Sequence, residues 1–304
     1  MTAGMPQNKR IERFLGDFFP VIMGPTASGK SALALDVARA SGGEILSADS
    51  MQQYRGLDIG TAKASVEERR AVPHHLIDIL DIKDKSDIFQ YCERAEKTVR
   101  EILARGARPV MEGGSGLYLH AFLYGLDRLP ADPRLREELD RRYDNAEHFH
   151  ELQEMMSVRA PADLEKFGAH RRKLIRACEV LLLSGQPMTA LQSGTGRPRA
   201  GFRQFLLVWD RTVLRERIFR RTEIMLSSGW IEEAERMISA GLLESPTAWQ
   251  ALGYARIGEY LSGRISRAEL RDKIAVATCQ YARRQMTWFR NRHPDAELVD
   301  MPLS

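Results

Sequence analysis

Apolar and polar positions follow two different periods along the first part of the chain, which predicts strands that alternate with helices. Residues 18–23 form a short apolar run that ends at a glycine-rich stretch, as a buried strand does. Residues 31–40 have helical spacing, and two glycines at 42 and 43 end that helix. The same patterns predict strands at 44–47, 75–80, 108–112 and 205–209 and a helix at 88–104. This alternation favours a parallel sheet covered by helices on both faces.

The strand pattern is missing between about residues 118 and 201. Asp132 and Pro133 form a helix start there, with the aspartate as N-cap and the proline in the first turn, and charged helical sequence follows. Residues 211–290 are again helical in pattern. We therefore expect a helical insertion between two strands of the sheet, and a helical region near the C-terminus.

A phosphate-binding loop follows the first predicted strand. Residues 24–31 match G-x-x-x-x-G-K-[ST] at every fixed position, and they lie between a predicted strand and a predicted helix. The glycines let backbone N–H groups turn inward around an anion, and the helix adds its positive N-terminal end. The motif predicts a bound diphosphate or triphosphate, with Mg²⁺ at Ser31, but no particular nucleotide. The residues that would bind the phosphates are Gly24, Pro25, Thr26, Ala27, Ser28, Gly29, Lys30 and Ser31.

With this loop, the predicted fold is of the α/β class: a P-loop-type parallel sheet flanked by helices, with a helical insertion domain and a helical C-terminal region. We assign the first part of the core to residues 1–119, the insertion to 120–200, and the completion of the core with the helical region to 201–304. Asp210, after the strand predicted at 205–209, could imitate a Walker B carboxylate, but we favour an N-cap for the next helix.

Asp49 follows the second predicted strand. The carboxyl ends of strands in such a sheet open onto the ligand crevice, which would bring this carboxylate close to the phosphate loop. There it could bind Mg²⁺ through water or act as a general base. The alternative is a structural Asx turn, since Asp-Ser is a common turn pair.

The charge of the chain is divided unequally. The net charge is +4, but from Arg171 onward 22 Lys and Arg stand against 14 Asp and Glu, and 20 of those cations are Arg. A basic half is typical of a polyanion partner, although a solvated arginine-rich surface would look the same. The three cysteines, Cys92, Cys178 and Cys279, have no metal or redox spacing, so we expect reduced thiols in a cytoplasmic protein. No apolar run is long enough for a membrane span.

Several longer motifs, taken together, resemble one family over about residues 20–292. They are the phosphate loop and the segments at 48–63, 73–78, 113–118, 176–180 and 281–290. The sequence resembles bacterial tRNA dimethylallyltransferases, which transfer a dimethylallyl group from its diphosphate to N6 of adenosine 37, beside the anticodon. The resemblance implies an enzyme with tRNA (the anticodon stem-loop) and dimethylallyl diphosphate as partners and Mg²⁺ as cofactor; we expect a monomer.

The resemblance also implies roles for single residues. Asp49 would be the general base, with Lys30 and Arg217 as the other catalytic residues. Arg217 and Arg221 would contact the diphosphate. The tRNA contacts would be Asp49, Ser50, Met51, Gln52, Ser115, Arg136, Arg172, Lys173, Leu174, Ile175 and Arg176. Ser115 stands where the family usually has threonine, so the hydroxyl is kept.

Three other functions stay open at the level of sequence. A P-loop kinase of small molecules would share the phosphate loop, but it would not need the basic C-terminal half. An adenylate isopentenyltransferase acting on free AMP or ADP would share the loop and Asp49, but it would not need the helical insertion. A non-enzymatic RNA-binding module would leave the loop without a purpose.

Overall fold

The computed structural model describes residues 10–143, 145–192 and 196–303. The chain divides into two compact units. The first, here called the core unit, contains the residues up to 123 and those from 198 onward, and the second, the helical unit, contains 124–197. The insertion predicted at 120–200 covers this helical unit, and the first and last predicted segments of the chain lie together in the core unit.

A six-stranded parallel sheet organises the core unit. Its strand order is β3-β2-β4-β1-β5-β6, so β4 lies between the first two strands of the chain. This is the predicted sheet class. The strands are β1 Phe19–Met23, β2 Gly43–Ser47, β3 His74–His75, β4 Arg108–Gly113, β5 Phe202–Val208 and β6 Glu297–Asp300.

Helices complete the core unit. They are α1 Lys30–Ser41, α2 Val66–Ala71, α3 Ile88–Ala104, α4 Gly116–Tyr124, α10 Arg211–Ser227, α11 Trp230–Ser239, α12 Tyr254–Leu261 and α13 Arg267–Arg292, with short 3₁₀ turns at Glu12–Phe14, Leu242–Glu244 and Ala248–Gln250. Asp210 caps α10 by accepting hydrogen bonds from the N–H groups of Thr212 and Val213, which confirms the N-cap interpretation. In the described part of the chain, no helix is both long and apolar enough to cross a membrane.

Two strand predictions were wrong or incomplete. The strand expected at 75–80 is only His74–His75, because Leu76 and Asp78 adopt left-handed backbone conformations that end it. Asp78 is held there by ion pairs with Lys63 and Arg69. The last strand, β6, was not predicted; it is a short edge strand in which only Val299 is buried, so its apolar pattern is weak.

The helical unit has a core of its own, and no strand is found among its described residues. Its helices are α5 Pro133–Tyr143, α6 Ala146–Arg159, α7 Pro161–Phe167, α8 Arg171–Ser184 and α9 Met188–Leu191. Leu174 and Ile175, both predicted tRNA contacts, belong to this core and are almost completely buried. Arg136 and Arg176 are both paired with the buried Glu179, whereas Arg172 and Lys173 are exposed. If α8 contacts phosphates, Arg172 and Lys173 are therefore the predicted contacts whose side chains are exposed for it.

Candidate active site

The phosphate loop joins β1 to α1 in a backbone shape that is partly strained. Gly29, the N-cap of α1, has φ 87°, a conformation that glycine adopts at low cost. Ala27 has φ 62°, which is uncommon for a residue with a side chain. Such outliers persist only where the surroundings hold them, and they cluster at ligand-binding sites.

Three side chains from the C-terminal third of the chain hold this loop. Trp209 Nε1 donates to the Ser28 carbonyl at 2.9 Å, and Arg217 Nε donates to the Ala27 carbonyl at 2.9 Å. In a trans peptide the C=O and N–H groups point in opposite directions. Each of these two hydrogen bonds therefore keeps the N–H group of the same peptide pointing away from the Trp209 or Arg217 side chain. Gln285 accepts from the Thr26 N–H at 2.9 Å and donates to the Gly114 carbonyl at 2.8 Å.

A cavity of about 570 Å³ opens at the loop. Its wall includes Lys30 and Ser31 from the loop, the segment 49–52 after β2, and the residues 60–62. The opposite wall comes from the C-terminal helices, and its residues include Ile218, Arg221, Thr222, Met225, Trp230, Ile274, Thr278, Tyr281, Arg284 and Gln285. The structure thus brings Asp49 and the phosphate loop to one cavity, as the sequence predicted.

Asp49 reaches the cavity because two strand ends come very close. The Ala48 N–H donates to the Glu112 carbonyl at 2.7 Å, and the Ser115 N–H donates to the Ala48 carbonyl. A Cβ atom at Gly113 would lie only 2.3 Å from that carbonyl oxygen, so only glycine fits. The Oδ1 atom of Asp49 accepts from the N–H groups of Met51 and Gln52, which is the Asx turn that we weighed as an alternative. The turn and a place on the cavity wall therefore coexist in one residue.

Glu112 is a carboxylate that sequence reasoning missed. It lies at the carboxyl end of β4, next to β1, and only 5% of its surface is exposed. The Ser31 hydroxyl donates to its Oε2 atom at 3.1 Å. Burial raises the pKa of this carboxyl, Lys30 opposes the rise and Asp49 adds to it. The sequence signal that could have identified Glu112 is its place as an acidic residue at the end of the strand predicted at 108–112.

Cations surround the loop. Burial lowers the pKa of the Lys30 ammonium, against the attraction of Glu112, and Arg221 lowers it further. Burial likewise lowers the pKa of the Arg221 guanidinium. Arg217 stacks on the ring of Trp209 at 4.3 Å, and its guanidinium lies beside Gly29. Lys30 and Arg221 thus face the cavity, whereas Arg217, a predicted diphosphate contact, lies beside the loop and is not part of the cavity wall.

The predicted tRNA contacts of the core unit divide into two groups. Asp49, Ser50 and Met51 lie on the cavity wall with half-buried side chains. Gln52 also lies there, but its amide is engaged within the protein, accepting from the Ser47 hydroxyl and donating to the Thr61 carbonyl. Ser115 is buried and accepts from the Ser50 N–H at 3.0 Å, so the structure gives it a contact that positions the cavity wall.

Tyr281, at the start of the motif at 281–290, also lies on the cavity wall. It stands four positions before Gln285 on α13, so the two share one face of the helix. Burial raises the pKa of the Tyr281 phenol to about 12. That spacing within the 281–290 motif was the signal that could have placed both residues at the site.

A family model, related sequences and solved structures all identify the same family for this chain. Residues 52–292 match the family model described as IPP transferase. The tRNA dimethylallyltransferase of Mycolicibacterium smegmatis is 39% identical over 90% of both chains, and that of Mycolicibacterium vanbaalenii is 42% identical over 90% of both. The tRNA isopentenylpyrophosphate transferase structure from Bacillus halodurans superposes with a TM-score of 0.67 at 33% identity, covering 94% of this chain and 90% of that one. A eukaryotic dimethylallyltransferase acting on tRNA shares the fold, with a TM-score of 0.75 at 22% identity.

Proposed function

We propose that this chain, which belongs to the tRNA dimethylallyltransferase (IPP transferase) family, transfers a dimethylallyl group from dimethylallyl diphosphate to N6 of adenosine 37 in tRNA. The two Mycolicibacterium relatives are named tRNA dimethylallyltransferases, which supports the transfer of a dimethylallyl group to tRNA. The observation that carries the proposal is the single cavity in which the phosphate loop and Asp49 meet. The loop would hold the diphosphate of the donor, and the carboxylate would face the acceptor.

The acceptor side of the reaction needs a base. The exocyclic amine of adenine is a poor nucleophile because its lone pair is delocalised into the ring, and it loses a proton as the N–C bond forms. Asp49 is a carboxylate on the cavity wall beside the loop, and it is the candidate for accepting this proton. Its Oδ1 atom is fixed by the Asx turn, which orients the carboxylate before substrate binds.

The donor side of the reaction needs stabilisation of a leaving diphosphate. Negative charge grows on its bridging oxygen as the C–O bond breaks, and preorganised donors at that position lower the barrier. The groups in place for this are the loop amides that are not bonded within the protein, the Lys30 ammonium and the Arg221 guanidinium, while Arg217 lies beside the loop at Gly29. A divalent cation fits the oxygen donors at the start of α1, where Ser31 would hold Mg²⁺ and the ion would neutralise part of the diphosphate charge.

A tRNA acceptor fits the composition of the chain better than a nucleotide. The reacting base must leave the stack of the anticodon loop to enter a cavity, as other base-modifying enzymes require. The exposed Arg172 and Lys173 of the helical unit and the arginine-rich C-terminal half would contact phosphates, which position an RNA without reading its bases. The family comparisons do not favour a small-molecule kinase or an adenylate isopentenyltransferase.

One experiment separates these functions. The purified protein is incubated with labelled dimethylallyl diphosphate and tRNA, AMP or no acceptor, and label in RNA is mapped by nuclease digestion. We expect label in tRNA alone, at the adenosine beside the anticodon. Label in AMP alone would favour the adenylate enzyme, and label in neither acceptor would contradict prenyl transfer as the function.

A further inference from the structure

The carboxylate of Glu112 lies where the phosphate loop, β4 and the Asp49 segment converge. Its strand separates β1, which leads into the loop, from β2, which leads to Asp49. Its side chain is buried, and its Oε2 atom accepts a hydrogen bond from the first hydroxyl of α1. A buried carboxylate is costly unless it is paired or coordinates a cation. The charge of Lys30 favours the ionised form of Glu112, but among the described residues no side chain forms a direct ion pair with it.

The site has donors of one chemical kind. Ser31 and Glu112 offer oxygen atoms, which are the ligands that Mg²⁺ and Mn²⁺ take in proteins. The two oxygens lie 3.1 Å apart. Adjacent ligands of an octahedral Mg²⁺ ion, each about 2.1 Å from the metal, are separated by about 3.0 Å. A cation could therefore bind between these two oxygens with almost no movement of either side chain, once the Ser31 O–H rotates away from Glu112.

The other ligands of a cation at this place would come from the diphosphate. Thr26, Ala27, Gly29, Lys30 and Ser31 of the phosphate loop all line the cavity, so a diphosphate bound there would present oxygens beside Ser31.

We infer that Glu112 and Ser31 together form the protein side of a divalent-cation site, with the remaining ligands supplied by the diphosphate and water. This inference rests on the proposed function, because the diphosphate is a ligand of the ion. In the described part of the chain, no group of three or more His, Cys, Asp or Glu side chains could hold a metal alone. The cation and the diphosphate therefore bind together, and Glu112 couples their affinities.

The role of Glu112 predicts opposite effects of one substitution with and without the cation. Glu112→Gln keeps the size of the side chain and its acceptor for Ser31 but removes the charge. Without a cation, a carboxylate beside the loop repels pyrophosphate, so the variant should bind inorganic pyrophosphate at least as tightly as wild type. With Mg²⁺, the variant lacks a ligand, and its affinity should fall about 10–100-fold below wild type, as loss of a metal ligand or its support does.

The test is calorimetric titration of inorganic pyrophosphate into the full chain, in EDTA and over a series of Mg²⁺ or Mn²⁺ concentrations. Asp49→Asn is the matched control, because it removes a carboxylate from the same cavity without removing the proposed ligand. This control should keep the stimulation of pyrophosphate binding by Mg²⁺ that Glu112→Gln loses. Ser31→Ala should lose it as well, and combining it with Glu112→Gln should add little.

Three results decide the inference. Loss of the Mg²⁺ stimulation in Glu112→Gln but not in Asp49→Asn supports it. Equal stimulation in wild type and Glu112→Gln overturns it and leaves the proposed function standing. Absence of pyrophosphate binding to wild type overturns both. If Glu112→Gln fails to fold, Glu112→Asp withdraws the carboxylate by one C–C bond, about 1.5 Å, and should raise the Mg²⁺ requirement while the affinity in EDTA stays at the wild-type level.

Discussion

Glu233 of α11 is a buried carboxylate that organises one wall of the cavity. Its Oε2 atom accepts from the N–H groups of Asp58 at 3.0 Å and Ile59 at 2.7 Å, and its Oε1 atom accepts from the Gly60 N–H at 3.0 Å and the Tyr254 hydroxyl at 2.6 Å. The segment 60–62 lines the cavity. Four donors thus converge on one charge, and the shape of this wall depends on it.

Glu233→Gln replaces one of the two accepting oxygens by a donor. If the amide oxygen keeps the N–H groups of Asp58 and Ile59, the amide NH₂ faces the Gly60 N–H, while the Tyr254 hydroxyl can turn to accept. One hydrogen bond to a charged group is lost, worth about 1.5–3 kcal/mol, and one buried donor is left unsatisfied, at about 1–3 kcal/mol. Since the variant relaxes in part, we expect unfolding free energy to fall by about 3 kcal/mol.

Urea unfolding followed by tryptophan fluorescence measures this change in the core unit, because all four tryptophans, at 209, 230, 249 and 288, lie in it. Glu235→Gln is the control, an exposed glutamate of the same helix, and it should change stability by less than about 0.5 kcal/mol. If Glu233→Gln is no less stable than this control, the four hydrogen bonds do not support the wall and the reasoning fails.

Further predictions concern the chemistry, the strand ends, the dependence on pH and the dependence on salt. Asp49→Asn should abolish prenyl transfer to tRNA while tRNA binding, measured by filter retention, stays near wild type; undiminished turnover would remove Asp49 as the base. Gly113→Ala should destabilise the protein by at least about 2 kcal/mol in urea, since its Cβ would meet the Ala48 carbonyl at 2.3 Å. Burial lowers the pKa of His293 to about 4, so on acidification the unfolded state takes up a proton at a higher pH than the folded state. The free energy of unfolding should therefore fall below about pH 6.5, by about 2 kcal/mol at pH 5. The free energy of unfolding of the His293→Asn variant should differ less between about pH 6.5 and pH 5 than that of wild type. The affinity for tRNA should decrease steeply with salt, and a flat response would contradict contacts to phosphates.

Much of the core unit could be predicted from local pattern. The helix expected at 88–104 is α3, with the bounds Ile88–Ala104, because it has a strong apolar stripe, an Asp87 N-cap and a glycine after its end. The phosphate loop was recognisable because its chemistry requires fixed residues at fixed spacing within eight positions. The failures have local causes too: left-handed residues end β3 early, and β6 buries only one side chain.

The parts of the site that could not be predicted are those that depend on distant contacts. The loop at 24–31 is held by Trp209, Arg217 and Gln285, which lie 181, 190 and 259 positions away from their partners in the chain. No periodicity or spacing reports such pairs. Through these contacts, side chains of the C-terminal third fix the backbone of the loop in which Ala27 is strained. Binding of the diphosphate and the integrity of α10 and α13 must therefore be coupled.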